Sequence, residues 1–398
     1  MNISVWGNFM KLFKSLIIAP ATLGLLSPLS AISSEVDFQA ISKYSNAEYK
    51  LDSNSFKESS TKNILLSGGE GLVESTSIDS FSSTTSASFS AEAILGGISS
   101  DVLAGNDIEA VSLDYQYGIG LTSSFTGEDS LDVTIDVGNT GGANPTSATS
   151  LVMGMDATAD AMVVDGVTYT FPVGSTTMLV GDNTDISALY TGACAYSGFV
   201  DYVTDCGTGN SIGVGNQGVT AAMSYAFDGG FSLAGGVSSP SNSITGAGTD
   251  TFGIEAAYTA DDYGVALAFA DTETGATTGT TFVGFNGYYS FDFATLSAGY
   301  ETADPDTDGA DDTSAFFLGF TKEVGPGTFE AGYTSTDMDP FGTLTPGAEL
   351  STTETVYIYE ASYAYPVNDT LTITPGFGII DTDLGETTVA AVKASFAF

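Results

Sequence analysis

Carboxylates dominate the reactive groups of this sequence. Its 398 residues include 49 Asp and Glu against 8 Lys, with no arginine and no histidine. Catalysis of the Ser–His or His–Asp kind needs an imidazole to carry the proton, and none exists. No catalytic residue is therefore assigned, and the chain is not expected to be an enzyme. Nucleic-acid binding by counterion release needs a basic stripe, which a net charge of −41 forbids. Two chemistries remain for the acids. Rings of carboxylates inside a pore attract cations, and closely spaced carboxylates can hold a hard divalent ion.

The second possibility is carried by "DPDTDGADD" (304–312), which opens with the D-x-D-x-D-G spacing of an EF-hand loop. Asp304, Asp306 and Asp308 are the candidate ligands for weak calcium binding. Position twelve is Ala315 instead of Glu, and strand-like sequence flanks the segment where helices would be needed. Solvated charge, or calcium or magnesium bridging the acidic loops to lipid headgroups, competes with that reading. No other cofactor is expected. The cysteines Cys194 and Cys206 fall in "TGACAYSGFVDYVTDCGTG". In an exported chain this pair reads as one disulfide closing a loop, since a metal site would want more Cys or some His.

Export is read from the N-terminus. Met10-Lys11-Leu12-Phe13-Lys14 is a short basic stretch, and an apolar run interrupted by Pro20 and Pro28 follows. Ala31-Ile32-Ser33 fits a small-x-small cleavage site, so residues 1–33 read as a signal peptide with the mature chain starting near Ser34. A membrane anchor is the competing reading, against which the run is short and proline-broken. No later stretch approaches the ~18 apolar residues of a spanning helix. Residues 34–75 form a polar segment bearing Lys43, Lys50, Lys57 and Lys62. It reads as a periplasmic leader, or as a plug held against acidic groups or the wall polymer.

Residues 76–398 read as one barrel, and from Ala110 to the C-terminus the sequence alternates with period two. In "VSLDYQYGIGLTSSF", Val111, Leu113, Tyr115, Tyr117, Ile119 and Leu121 share one face, opposite Ser112, Asp114, Gln116 and Thr122. "LDVTIDV" opposes Leu131, Val133, Ile135 and Val137 to Asp132, Thr134 and Asp136. Such alternation marks half-buried strands. Short turns such as "FDGG", "ADD" and "YPVNDT" alternate with long polar stretches such as "DTETGATTGT" and "ETADPDTDGADDTS" from Val219 onward. The expected fold is all-β: a transmembrane, antiparallel up-and-down β-barrel of about sixteen strands, with short periplasmic turns and long extracellular loops. The first strand is placed near residues 78–92. A soluble β-sandwich also alternates, but it lacks the long/short polarity of loops.

Strand parity points Asp114, Asp132, Asp136, Glu255, Glu330, Glu354, Glu360 and Lys393 into the lumen. With carboxylates lining it, a cation-preferring or weakly selective channel is expected; the same charges as mere solvated wall is the competing reading. Loop 183–218, holding the cysteine pair, is expected to fold inward as a constriction, with Asp182, Asp185, Asp201 and Asp205 as lining candidates. A surface loop with the same staple is the alternative. Phe317 and Tyr288 are inward aromatics on which a sugar could stack, so a substrate-specific sugar channel is a second reading. A structural or adhesive surface barrel is a third.

The start "MKLFKSLIIAPATLGLLSPLSA", the segment "LTSSFTGEDSLDVTIDVGNTGG", the turns "FPVGS" and "YPVND" and the end "VAAVKASFAF" resemble the cyanobacterial outer-membrane porins, relatives of the carbohydrate-selective porins of Gram-negative bacteria. The resemblance implies a barrel for passive diffusion of ions and small hydrophilic solutes, often as a homotrimer, with carbohydrate or iron uptake in some members. It departs from many relatives in showing no S-layer-homology motif in residues 34–75. The terminal strand, with Phe396 and Phe398 on the lipid face, resembles the signal read by the outer-membrane barrel assembly machinery. Outer-membrane lipids, that machinery, small solutes and ions are the expected partners.

Overall fold

The computed structural model describes residues 85–100, 111–141, 149, 152–201, 203, 205–213, 218–240, 250–275, 278–306, 311–337, 355–383 and 385–397. The signal, the lysine-bearing segment, Glu354, Asp308 and Phe398 lie outside these residues.

Sixteen strands close into one antiparallel barrel in sequence order, the first pairing with the last. They are β1 (Thr85–Ser100), β2 (Ser112–Ser123), β3 (Ser130–Gly138), β4 (Val163–Val173), β5 (Thr176–Thr184), β6 (Gly218–Ala226), β7 (Phe231–Ser239) and β8 (Thr251–Thr259). The second half comprises β9 (Tyr263–Gly275), β10 (Thr278–Phe291), β11 (Ala294–Pro305), β12 (Thr313–Val324), β13 (Gly327–Thr336), β14 (Val356–Asn368), β15 (Leu371–Thr382) and β16 (Gly385–Ala397). Closure leaves no edge strand with unpaired backbone groups, the condition for a sheet in lipid.

The apolar parity faces outward. Leu113, Val180, Met223, Ile254, Leu267, Phe285 and Leu318 are all exposed, while the opposite parity carries small and polar groups. A chain of ring contacts, Phe231–Tyr258–Tyr263–Tyr289–Phe291–Phe293, runs along the short-turn rim at centroid spacings of 4.6 to 6.4 Å. Aromatic rings with a polar handle settle where hydrocarbon meets headgroups, so this girdle marks one membrane boundary.

One strand and two connections differ from the sequence expectation. β1 spans residues 85–100, eight residues beyond the expected end at 92. "DTETGATTGT" is mostly strand: β9 and β10 pair to Gly275 and Thr278, leaving only residues 276 and 277 between them. β15 and β16 are joined just as tightly, across residues 383 and 384. Above the lipid a ladder needs no apolar face, so Thr-rich polar sequence continues as strand on hydrogen bonding alone. The long/short alternation is therefore not strict.

Candidate functional site

The lumen is where strand parity gathers polar groups, and the connection between β5 and β6 enters it. That loop begins with a 3-10 turn, Ile186–Leu189, capped by Asp185, whose Oδ1 accepts from the Ser187 backbone at 2.8 Å. The turn packs against β6 and β7. The chain then runs along the inner wall, fixed at β8, β10, β11, β13 and β14 by side chains aimed at its backbone. Glu255 on β8 accepts the N–H groups of Thr191 (2.7 Å) and Gly192 (3.0 Å). Asn286 on β10 accepts from Ala193 N at 3.0 Å, and Ser297 Oγ on β11 from Ala195 N at 3.3 Å. Glu330 on β13 takes Ser197 N at 3.3 Å.

Glu360 on β14 is the most heavily used of these. It accepts the Tyr196 hydroxyl at 2.7 Å, Phe199 N at 3.0 Å and Val200 N at 2.8 Å. On the return arm, Glu301 on β11 accepts from Asn210 Nδ2 at 2.8 Å, Ser211 N at 2.7 Å and Ser211 Oγ at 2.5 Å. Loop backbone has no ladder of its own, and burying its N–H groups without acceptors would cost several kcal/mol. The wall acids supply those acceptors.

The disulfide Cys194–Cys206 ties the two arms with a Cα–Cα distance of 5.6 Å. Close approach to the wall requires inner positions without side chains. The ring of Phe199 would lie 2.6 Å from a Cβ at Gly376, and the Cys206 carbonyl would meet one at Gly299. The inner face of β9 is Ala266, Ala268 and Ala270, all buried.

The apolar side chains described at the loop tip are packed away from water. Phe199, Val200 and Val203 join Ile94 and Ile98 of β1, Ile358 of β14, Ile380 of β15 and Val389 of β16 in an apolar cluster inside the barrel. A second segment enters here, which the alternation gave no sign of. The β3–β4 connection is pinched at its neck by Ala159 N to Thr140 O and Asp160 N to Gly138 O. Beyond the neck, Val152 and Met155 sit buried in the same cluster, and Asp201 N donates to Val152 O at 2.9 Å. A run such as "SLVMGM" (150–155), apolar within a polar loop, is the one signal that could have pointed to it.

Each expected lining residue among the described residues can now be placed. Glu255, Glu330 and Glu360 do sit on the inner parity, but 1%, 9% and 3% exposure leaves them under the loop instead of lining open water. Asp114 is likewise buried, hydrogen-bonded by Ser112 Oγ at 2.8 Å. Asp132 faces inward, with Thr122 Oγ1 and Ser130 Oγ each at 2.6 Å. Asp136 faces a cavity of about 540 Å³ together with Glu92, Gln116, Asp156 and Ser395, which reaches the short-turn rim at Asp369. Lys393 points inward, its Nζ 3.7 Å from Glu92 Oε1. Lys322, the other lysine among the described residues, is directly opposite Phe329 on the outward face.

In the loop, Asp185, Asp201 and Asp205 are lumenal. Burial pushes all three carboxyls above the ordinary carboxylate value; Asp205 also feels the charge of Asp185. Asp182 is a correction. β5 continues to Thr184, and pairing with Val167 gives Asp182 the outward parity of Met178 and Val180. Phe317 is fully buried against Tyr196, ring centroids 5.1 Å apart, and so offers no stacking face to a solute. Asp304 pairs with Thr281 on the outward parity, and no group of three Asp, Glu or Cys side chains among the described residues is arranged to hold a metal.

Comparison with known proteins agrees with this architecture. A family model described as Gram-negative porin matches residues 176–384. Among solved structures, a loop L8 deletion mutant of OmpT, an outer membrane protein of Vibrio cholerae, superposes with a TM-score of 0.56 at 12% identity, covering 79% of this chain and 100% of that one. OprB of Pseudomonas putida gives 0.58 at 13% identity, with 79% and 94% coverage. An anion-selective porin from Comamonas acidovorans gives 0.55 at 15%, with 79% and 99%. No curated protein matches the sequence.

Proposed function

The chain belongs to the Gram-negative porin family, an outer-membrane β-barrel of sixteen strands, and from that premise we propose that it is a passive diffusion channel preferring cations. The observation that carries the preference is the acidic lining of the cavity left beside the inward loop. Glu92, Asp136 and Asp156 face it, while the nearby Lys393 is already matched by Glu92. Carboxylates fixed around a narrow aqueous path lower the energy of a passing cation and raise that of an anion. The Comamonas structure is described as anion-selective, and an acidic lining of this kind runs against that preference here. We further read the channel as a homotrimer, related to the carbohydrate-selective porins, inserted by the barrel assembly machinery and serving small hydrophilic solutes. The sealing of Phe317 beneath the loop favours general diffusion over sugar-specific transport, leaving Tyr288 as the one of the two inward aromatics that is not fully buried.

The test is the reversal potential of the purified protein in a planar bilayer under a potassium chloride gradient. Cation preference gives the sign of the potassium equilibrium potential; a potential favouring chloride overturns the reading.

A further inference from the structure

The β3–β4 segment brings an acid into the lumen that no strand supplies. Asp156 reaches the cavity from the loop, where its backbone N–H donates to Gln116 Oε1 at 2.7 Å. The other end of the same amide, Gln116 Nε2, donates to Glu92 Oε2 at 3.1 Å. Glu92 is itself held by Ser395 Oγ at 2.9 Å and by Lys393. Gln116 thus bridges a wall carboxylate on β1 and a loop backbone, and both flanking acids face the same cavity as Asp136. A primary amide suits this place because it offers a donor and an acceptor at once. A carboxylate there would repel Glu92, and an apolar group would leave Asp156 N without its acceptor.

Resting on the diffusion-channel reading, we infer that Asp156 is a specificity-determining residue of the permeation path and that Gln116 is the positioning residue that keeps it there. The apolar side of the same segment explains why a tether is needed. Val152 and Met155 are drawn to the packed cluster at the loop tip. Asp156 follows Met155 directly in the chain, its carbonyl accepting Thr140 Oγ1 at 3.3 Å on one side while Gln116 holds its N–H on the other.

The experiment compares reversal potentials in potassium chloride gradients for the wild type, Asp156→Asn, Gln116→Leu and the double variant, all in planar bilayers. Both single variants should shift the reversal potential toward zero by similar amounts, and the double variant should shift it no further than Asp156→Asn alone. Gln116→Met keeps the side-chain length without either polar end, and it replaces the leucine variant if that protein does not insert. An unshifted potential in Asp156→Asn overturns the placement of Asp156 in the path. A shift in Asp156→Asn with wild-type behaviour in the Gln116 variant overturns the tether, as does an additive double variant. A wild-type protein that forms no channel overturns the diffusion reading itself, which separates the two failures.

Discussion

The carboxylate of Glu360 on β14 receives the backbone N–H of Val200 at 2.8 Å, from a loop 160 residues away in the chain. With Tyr196 and Phe199 bound to the same group, this one side chain fixes the far bend of the inward loop. Hydrogen bonds to charged groups contribute about 1.5–3 kcal/mol each. Glu360→Ala should therefore release the bend and give a larger and noisier single-channel conductance. Glu360→Gln, which keeps an acceptor, should fall between. Equal conductance in all three proteins would show that the bend is held from elsewhere.

Acid should weaken ion selectivity earlier than an ordinary carboxylate would. Burial, with the charges of Asp165 and Glu92 behind it, raises the carboxyl of the cavity-facing Asp156 above 3.8, and burial raises those of the loop acids Asp185, Asp201 and Asp205 as well, so they take up protons at a higher pH on acidification. Cation preference should accordingly decline with falling pH well before 3.8 is reached, and recover on return to neutrality. Reversal potentials measured stepwise from pH 8 downward check this. A preference held constant until the ordinary value would contradict it.

The disulfide is not the loop's only restraint. One arm is bound by Asn286, Ser297, Glu330 and Glu360, and the other by Glu301. A Cys194→Ser, Cys206→Ser protein should keep nearly the wild-type mean conductance while showing more current noise. Adding Glu301→Ala should then change the mean, because the return arm would have lost both its staple and its acceptor. The comparison is a single-channel recording of the two variants side by side.

The β2–β3 turn offers a test of stability. Asp129 Oδ1 accepts the backbone of Thr126 at 2.8 Å and of Phe125 at 2.9 Å, and Oδ2 accepts the Tyr169 hydroxyl at 2.7 Å. These bonds, the Thr126 backbone foremost, hold its carboxyl below the ordinary 3.8. A depressed folded value contributes stability that is fully present above the unfolded value and is lost as pH falls through the folded one. Asp129→Asn should lower the thermal transition at neutral pH and flatten its acid dependence below about pH 4. Differential scanning fluorimetry of the two proteins across pH reads both effects.

Sequence alternation reveals which residues face inward, because parity is a local property of a strand. It carried Glu255, Glu330, Glu360 and Lys393 to the lumen side. It could not say that the first three would be consumed as acceptors for a loop, since that depends on where a distant segment lies. Asp182 went astray for a related reason: a strand's end is set by pairing with its neighbour, here Val167, and not by its own composition. The inward turn of Val152 and Met155 was equally hidden. It answers to an apolar patch built jointly by β1, β14, β15 and β16, which no single stretch of sequence displays.

That patch lies across the seam where the chain's first and last strands meet, Ile94 and Ile98 on one side, Val389 and Ala391 on the other. Every other pair of neighbouring strands is joined through its own connection, so its closure costs little chain entropy; this pair must be brought together across the whole barrel. Phe199, Val200 and Val203 of the loop tip belong to the same cluster as both sides of the seam. Closing the cylinder and packing the loop tip draw on the same apolar cluster, so lesions in the loop should surface as unsealed barrels before they surface as altered currents.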